Sequence, residues 1–460
     1  MMKPIALGAI ALATVTSIGG TQQLPPIRQL GPVVASSKET LGPNVFVRHL
    51  KAGVLVNDVQ NRRLLLFDST LTTFIVVADT TPATANAYSS PVGGLIAYRA
   101  DSSLFVDPRA QSMLVIDPAG KVGRVMAVPR SQDAMMLGNP MMGTPAFDAT
   151  GKLVYRGFPR LQMVRPLTPG GGFVPPELPE STAIVRVDLT SRQIDTVAFA
   201  KIPKMKMDVQ RDDNGRVSVS MVMNPLPVVD EWAVLSGGSI ALVRGRDYHV
   251  DWVRPDGSRE SSPKIPFEWQ RLTDEDKIAF IDSVKAARER MAANAPIPAT
   301  PGGVPGGVPG GVPGGVAGGA AGGATRGSTG AAGGGTAGGA PGEVRIFMGG
   351  PGGGGPPGGE RGGPQVNFVQ PSELPDYKPP FLAGAGSVRA DYDNHLWVRT
   401  IPTKGVAGGP VYDVIDSKGE LVERVQVPQD RVIAGFGAGG VVYLLARDGT
   451  TSKLERAKVK

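Results

Sequence analysis

Apolar residues in this chain come in short runs, each bounded by glycine, proline, aspartate or asparagine, and seldom at helical spacing. One pattern of strand, glycine turn, strand and proline is written three times. It reads Val115-Ile116-Asp117-Pro118-Ala119-Gly120-Lys121, closing at Val128-Pro129, then Trp252-Val253-Arg254-Pro255-Asp256-Gly257-Ser258, closing at Ile265-Pro266. The third copy is Val414-Ile415-Asp416-Ser417-Lys418-Gly419-Glu420, closing at Val427-Pro428. The step from turn glycine to closing proline is 9 residues each time (129−120, 266−257, 428−419). A repeat at fixed internal offset marks an architecture of stacked, equivalent units. Weaker relatives are Leu64-Leu65-Leu66-Phe67-Asp68-Ser69 and Ile184-Val185-Arg186-Val187-Asp188-Leu189-Thr190. Upstream of these lie further short strands, such as Val54-Leu55-Val56, Leu104-Phe105-Val106 and Leu396-Trp397-Val398. Before those come inner strands such as Gly94-Leu95-Ile96-Ala97-Tyr98 and Glu231-Trp232-Ala233-Val234-Leu235.

Each unit therefore predicts about four short strands joined by turns. Six units fit, at roughly 44–80, 90–130, 143–203, 228–267, 381–428 and 430–460. Four-stranded sheets repeated radially make a six-bladed β-propeller, an all-β fold that leaves only short, protected edges. The last unit is one strand short, and residues 27–35 are expected to supply its outer strand and close the ring. The turns at Asp148-Ala149-Thr150-Gly151-Lys152-Leu153-Val154 and Asp391-Tyr392-Asp393-Asn394-His395-Leu396-Trp397-Val398 resemble the Asp-rich turn and Leu-x-Val strand of the NHL and TolB-like six-bladed propellers, especially exported bacterial members. Asn394 stands where such turns often carry glycine, and asparagine tolerates the same left-handed backbone. The resemblance implies the propeller fold over 21–460 and leaves the activity open, because one fold hosts many functions.

Two additions interrupt the ring. A hairpin over about 204–223 turns at Asp213-Asn214-Gly215, with Met205, Met207 and Val209 on one arm and Val217, Val219, Met221 and Met223 on the other. Alternation puts each arm's apolar set on one face. A three-residue loop, 213–215, pairs odd positions with odd and keeps both sets together, whereas a two-residue loop would split them. The second addition, at 268–293, predicts a helix whose N-terminus is marked by Thr273-Asp274-Glu275-Asp276 and whose apolar positions are Ile278, Ile281, Val284 and Met291. It leads into a Gly/Pro/Ala-rich tract, 295–365, with four Pro-Gly-Gly-Val copies, which is expected to be disordered because it has too little apolar surface to offset its ordering entropy.

Composition narrows the function more than it assigns one. Lys and Arg exceed Asp and Glu by 7 (48 against 41), but the excess is spread thinly and forms no basic run, so nucleic acid is not an expected partner. No cysteine is present, which rules out disulfides, thiolate metal sites and a cysteine nucleophile. Met1-Met2-Lys3, the apolar run Ile5–Val15 and the small residues Ser17-Ile18-Gly19 read as a signal peptide over 1–20. The mature chain is then expected to be periplasmic or secreted, not membrane-spanning and without a lipid-anchoring cysteine, and monomeric.

Candidate chemistry is sparse. The residue following each second strand is Asn57, Asp107, Arg156, Arg244, Arg399 and Arg447 in the six units. Four arginines at one blade position suggest an electropositive mouth for a carboxylate, a phosphate or an acidic partner, since the planar guanidinium grips such anions in a bidentate manner. The structural alternative is that each arginine pairs with a turn aspartate such as Asp148 or Asp391. The methionines Met135, Met136, Met141 and Met142 and those of the hairpin could ligate Cu(I), but strand-face packing explains them equally. The histidines His49, His249 and His395 have no metal spacing, and catalytic residues are not assigned. The glycine-rich tract lacks the Lys-Ser/Thr of a phosphate loop. Some relatives in the propeller group are calcium-dependent lactonases with channel ligands. Here the only comparable oxygens are those of Asn57, Asp58, Asp391 and Asp393, too few for the six to eight that calcium takes. The expected function is non-catalytic recognition of a protein, peptide or anionic envelope ligand at the propeller face, or a scaffold role in which the Pro-Gly-Gly-Val tract reaches a surface or partner, with no cofactor. The alternative is a calcium-dependent hydrolase or lactonase working in the channel.

Overall fold

A computed structural model describes residues 24–159, 179–204, 206–211, 217–293, 344–346, 367–384, 386–401 and 407–459. Six four-stranded antiparallel sheets form the blades of a propeller ring. Blade 1 holds Val45–His49, Gly53–Asp58, Arg63–Asp68 and Phe74–Ala78, and blade 2 holds Gly94–Ala97, Ser103–Asp107, Ser112–Ile116 and Val122–Ala127. Blade 3 comprises Ala146–Phe147, Leu153–Arg156, Ser181–Val187 and Ile194–Lys201, and blade 4 comprises Asp230–Val234, Ile240–Arg244, His249–Val253 and Arg259–Ser261. Blade 5 is built from Val388–Ala390, Leu396–Arg399, Val411–Ile415 and Leu421–Gln426. Blade 6 takes Arg431–Gly437, Val441–Asp448 and Thr451–Lys458 from the end of the chain and Val33–Ser36 from its beginning.

The second strands show why apolar runs, and not alternation, announced the fold. Every residue of Gly53–Asp58, Ser103–Asp107 and Leu153–Arg156 is buried, because a blade presses on a neighbour through both faces. Outer strands face solvent, and all of Arg259–Ser261 is exposed. The repeated pattern falls at one place, the turn between third and outer strands of blades 2, 4 and 5. In each copy one backbone bond closes the turn, from Asp117 N to Lys121 O (3.0 Å), from Arg254 N to Ser258 O (2.9 Å) and from Asp416 N to Glu420 O (3.0 Å). Gly120, Gly257 and Gly419 sit there at φ 86°, 86° and 88°, where a side chain would be strained. The closing Val128, Ile265 and Val427 are buried and donate their amides back to Gln111, Tyr248 and Pro410.

Closure differs in one respect from the expected single strand at 27–35. Val33–Ser36 pairs antiparallel with Thr451–Lys458 as the outer strand of blade 6, but Ile27–Gln29 adds in parallel to the outer strand of blade 5. The step between blades is made at Leu30-Gly31, whose amides reach Gln426 O (3.0 Å) and Lys458 O (3.1 Å). Pro32 has no N–H to continue a ladder, so the segment divides there. Leu30 is buried in the apolar seam between blades 5 and 6.

The core is the set of such seams. Separate apolar clusters join blades 1 and 2, blades 2 to 4, blades 4 and 5, blades 5 and 6, and blades 6 and 1. Buried polar bonds pin the same seams. Tyr88 donates to Asn57 Oδ1 (2.9 Å), Tyr155 to Asp133 Oδ2 (2.7 Å) and Tyr248 to Asp413 Oδ2 (2.9 Å).

The additions form a satellite layer. The hairpin strands Lys206–Arg211 and Val217–Met223 pair odd with odd, Met207 opposite Met221 and Val209 opposite Val219, as the three-residue loop requires; 212–216 lie outside the described residues. The hairpin is extended in parallel by Val344–Ile346, within the tract expected to be disordered, and by Asn367–Phe368. The rest of the 295–365 tract and the signal segment lie outside the described residues. At the hairpin base Val222 packs on the satellite cluster of Leu226, Ile281, Val369 and Leu374, and Met223 is exposed. The expected helix runs Asp274–Ala293, with Thr273 Oγ1 accepting the Asp276 amide and Asp276 Oδ2 accepting the Thr273 amide. It seats Ile281 and Phe280, while Ile278 points outward. A second, five-residue helix, Ala134–Gly138, was not foreseen; it packs Met136 into the core and leaves Met135 exposed. Among the described residues no helix is long and apolar enough to cross a membrane.

One seam titrates. Burial pushes the Asp413 carboxyl up to about 6 from 3.8, against the pull of the Tyr248 hydroxyl and of Arg424 Nε at 3.4 Å. The folded state therefore holds this proton more tightly than the unfolded chain. The contribution is fully present below about pH 4 and is lost as pH rises through about 6. Asp413→Asn is expected to raise stability at pH 7.5 by on the order of 1–2 kcal/mol and to have little effect at pH 4.5. Thermal melts of both proteins at the two pH values check this, and an equal loss at both would contradict it.

Candidate binding site in the central channel

The six rim residues do not assemble into one surface. Asn57 is buried between Tyr88, whose hydroxyl it accepts, and Gly93 O, to which it donates at 2.7 Å. Asp107 is buried and accepts the amides of Ser89 (2.6 Å), Ser90 (3.3 Å), Arg109 (3.0 Å) and Ala110 (3.1 Å). Arg156 is buried against Glu231, Nη2 to Oε2 at 2.9 Å, across the seam between blades 3 and 4. Glu231 also accepts the Gly384 amide, yet desolvation still raises its pKa. Arg244 lies between Asp230 and Asp251, at 2.7 Å from each. Arg399 and Arg447 are exposed. Two of the four guanidiniums, those of Arg156 and Arg244, thus reach a carboxylate, though not Asp148 or Asp391, which bind Arg186 (3.5 Å) and His395 (3.0 Å) instead.

The inner strands of all six blades surround a cavity of about 490 Å³. Its charged lining is Arg48, Arg99, Asp101, Arg389 and Asp391. Arg48, on the inner strand of blade 1, is 9% exposed. Its Nη1 lies 3.5 Å from Asp101 Oδ1 and 3.3 Å from Asp101 O, and its buried Nε has no acceptor. Arg389, on the inner strand of blade 5, passes in front of blade 6 and places its guanidinium over the ring of Phe46 in blade 1, 5.6 Å from the centroid. It makes no hydrogen bond or ion pair with any described residue. A water-sized probe still reaches part of it from the cavity, but the surrounding protein desolvates it enough to push its pKa down.

Two glycines make this reach possible. A Cβ on Gly386, which has φ 73°, would stand 2.7 Å from Arg389 Nη2. A Cβ on Gly435 of blade 6 would stand 2.6 Å from Val47, so the bare backbone lets blades 6 and 1 close up and brings Phe46 within range. The turn that follows Arg389 ties the region together. Asp391 Oδ1 accepts the amides of Asp393 and His395, both at 2.8 Å, and Oδ2 accepts His395 Nδ1 and Trp397 Nε1, both at 3.0 Å. Tyr392 donates to His49 O of blade 1 (3.0 Å), Asp393 accepts the Gly440 amide of blade 6 (2.9 Å), and Asn394 accepts the Gly237 amide of blade 4 (2.7 Å). His49 stacks edge-on to Tyr392 and bonds Tyr443, so neither it nor His395 is a free channel group. His249 is held between Asp247 and Asp251. Among the described residues no group of three or more His, Asp or Glu side chains converges as a metal site.

No protein-family model and no curated protein matches the sequence. Several solved structures share the fold. An exported protein of Bacteroides fragilis aligns over 95% of this chain and 95% of its own at 9% identity and TM-score 0.40. The calcium-binding protein regucalcin of Agrobacterium tumefaciens aligns over 94% and 98% at 10% identity and TM-score 0.37. TolB of Acinetobacter baumannii aligns over 90% of this chain and 63% of its own at 8% identity and TM-score 0.32. At such identities the likeness concerns the fold alone.

Gly386→Ala is expected to cost about 1–2 kcal/mol from the left-handed backbone, plus a further loss from collision with Arg389. Only the collision is relieved in the Gly386→Ala/Arg389→Ala double variant. Melting temperatures of the single and double variants measure the difference, and strict additivity would show that the two residues are not in contact.

Proposed function

We propose that this protein is an exported, non-catalytic recognition propeller of the NHL and TolB-like kind, whose central channel binds an anionic ligand at Arg389. The observation that carries this reading is the bare guanidinium. Buried charges in folded proteins are ordinarily paired, because a desolvated ion without a partner is costly. Arg48 in the channel follows that rule through Asp101, and Arg156 and Arg244 follow it at the blade ends. Arg389 lines the cavity with no hydrogen bond or ion pair to any described residue, an arrangement that an incoming anion completes. Export rests on the basic start, apolar run and small residues of 1–20.

The lactonase alternative requires carboxylate or amide oxygens free to ligate calcium. Those of Asn57, Asp58, Asp391 and Asp393 already accept hydrogen bonds that hold turns and seams, from Tyr88, Gly42, His395 and Gly440 among others. The ligand then meets an arginine rather than an oxygen cage.

Thermal stability measured against a panel of simple carboxylates and phosphates tests the reading. At least one class is expected to raise the melting temperature of the wild type, and the rise is expected to vanish in Arg389→Gln. An equal rise in both proteins, or none in either, would count against an anion site at Arg389.

A further inference from the structure

Given an anion site at Arg389, we infer that its ligand is a monocarboxylic acid carried on an apolar or aromatic body, and not a phosphate ester. The inference rests on the reading above and adds to it the charge balance and wall chemistry of the cavity.

The charge balance selects a single negative charge. Of the two inner-strand arginines, Arg48 has Asp101 beside it at 3.5 Å, whereas Arg389 has no carboxylate among the described residues. The Asp391 carboxylate also lines the cavity, and its oxygens are taken up by His395, Trp397 and the turn amides. With Arg99 also in the lining, three arginines face two aspartates, and the cavity carries one net positive charge. A monoanion neutralises it. A phosphate monoester, with its charge of roughly −1.5 to −2 near pH 7, would leave negative charge uncompensated beside Asp101 and Asp391. The donor supply fits as well. A carboxylate offers about four lone-pair sites, which the unmatched Arg389 N–H groups can serve.

The walls select the body of the ligand. Besides its charged groups the cavity is lined by Phe46, Leu95, Phe147, Val234 and Phe436 from blades 1 to 4 and 6 and by Leu137 of the helix Ala134–Gly138. Such a surface gains by covering hydrocarbon and offers a sugar or a nucleotide few hydrogen-bond partners. Phe46 already holds one side of the guanidinium, so a planar acid meeting that guanidinium continues an aromatic stack. The volume of about 490 Å³ lies within the range, about 300–1,000 Å³, of cavities that enclose small organic ligands.

Isothermal titration of the full mature chain at pH 7.5 in low salt tests this with five probes: phenylacetate, octanoate, acetate, phenyl phosphate and phenylacetamide. Phenylacetate or octanoate is expected to bind at least tenfold more tightly than acetate, which lacks the body, and than phenylacetamide, which lacks the charge. Either should also bind at least tenfold more tightly than phenyl phosphate. Arg389→Gln and Arg389→Lys, each confirmed as folded by its melting transition, are expected to lose at least tenfold and several-fold in affinity respectively. Phenyl phosphate binding as tightly as phenylacetate, with the same dependence on Arg389, overturns the carboxylate inference and leaves the anion site standing. Affinity for every probe that is unchanged in Arg389→Gln overturns both.

Discussion

Every blade of this protein depends on the next for burial. A four-stranded sheet with apolar side chains on both faces of its second strand cannot bury either face alone. Stability comes from pressing blades together until the ring returns to its start, which makes circular closure a thermodynamic requirement and not only a shape. The N-terminal segment meets it by serving two blades at once, in parallel on blade 5 and antiparallel on blade 6, with Leu30 sealing the seam between them. Separating those blades would break two ladders and open one apolar seam.

Burial of both faces also governs where polar groups can sit. Where a side chain at the end of a second strand lies inside a seam, it must find a partner there. Asn57, Asp107 and Arg156 do so with tyrosine, backbone amides and glutamate, and Tyr248 with Asp413 repeats the arrangement between blades 4 and 5. These bonds fix blade register more than they add stability, since each replaces bonds to water and carries a desolvation cost. Asp413 retains that cost as a raised pKa.

The channel obeys a different rule because the ring's centre is not closed by packing. Glycines in the inner strand of blade 6 draw blades 6 and 1 together, and the long turn of blade 5 crosses to blade 1 through Tyr392 and His49. This crossing carries Arg389 to Phe46 and strands its charge in a cavity with apolar walls. The satellite layer of hairpin, helix and short parallel strands has its own small apolar cluster, so the binding geometry can be read from the ring alone.

Much of the ring was legible in the sequence. Short apolar runs, turn glycines and the 9-residue offset are local features, and burial on both faces leaves a continuous apolar signature that needs no knowledge of neighbours. The hairpin register was equally local, since loop length and the side-chain period of two determine it. The division of residues 27–36 between two blades was not legible, although Gly31-Pro32 signalled a break, because the identity of the partner strand is a long-range fact. The site was legible least. Arg156 and Arg399 occupy the same blade position, yet one is buried on Glu231 and the other is exposed, while Arg48 and Arg389 stood out from no pattern. Sequence alone determined how many strands each unit has and where each turns, because those depend on residues adjacent in the chain. Only the tertiary structure decided which charges are paired, because a guanidinium's partner is set by elements that meet in space, as Arg156 meets Glu231 across a seam from 75 residues away.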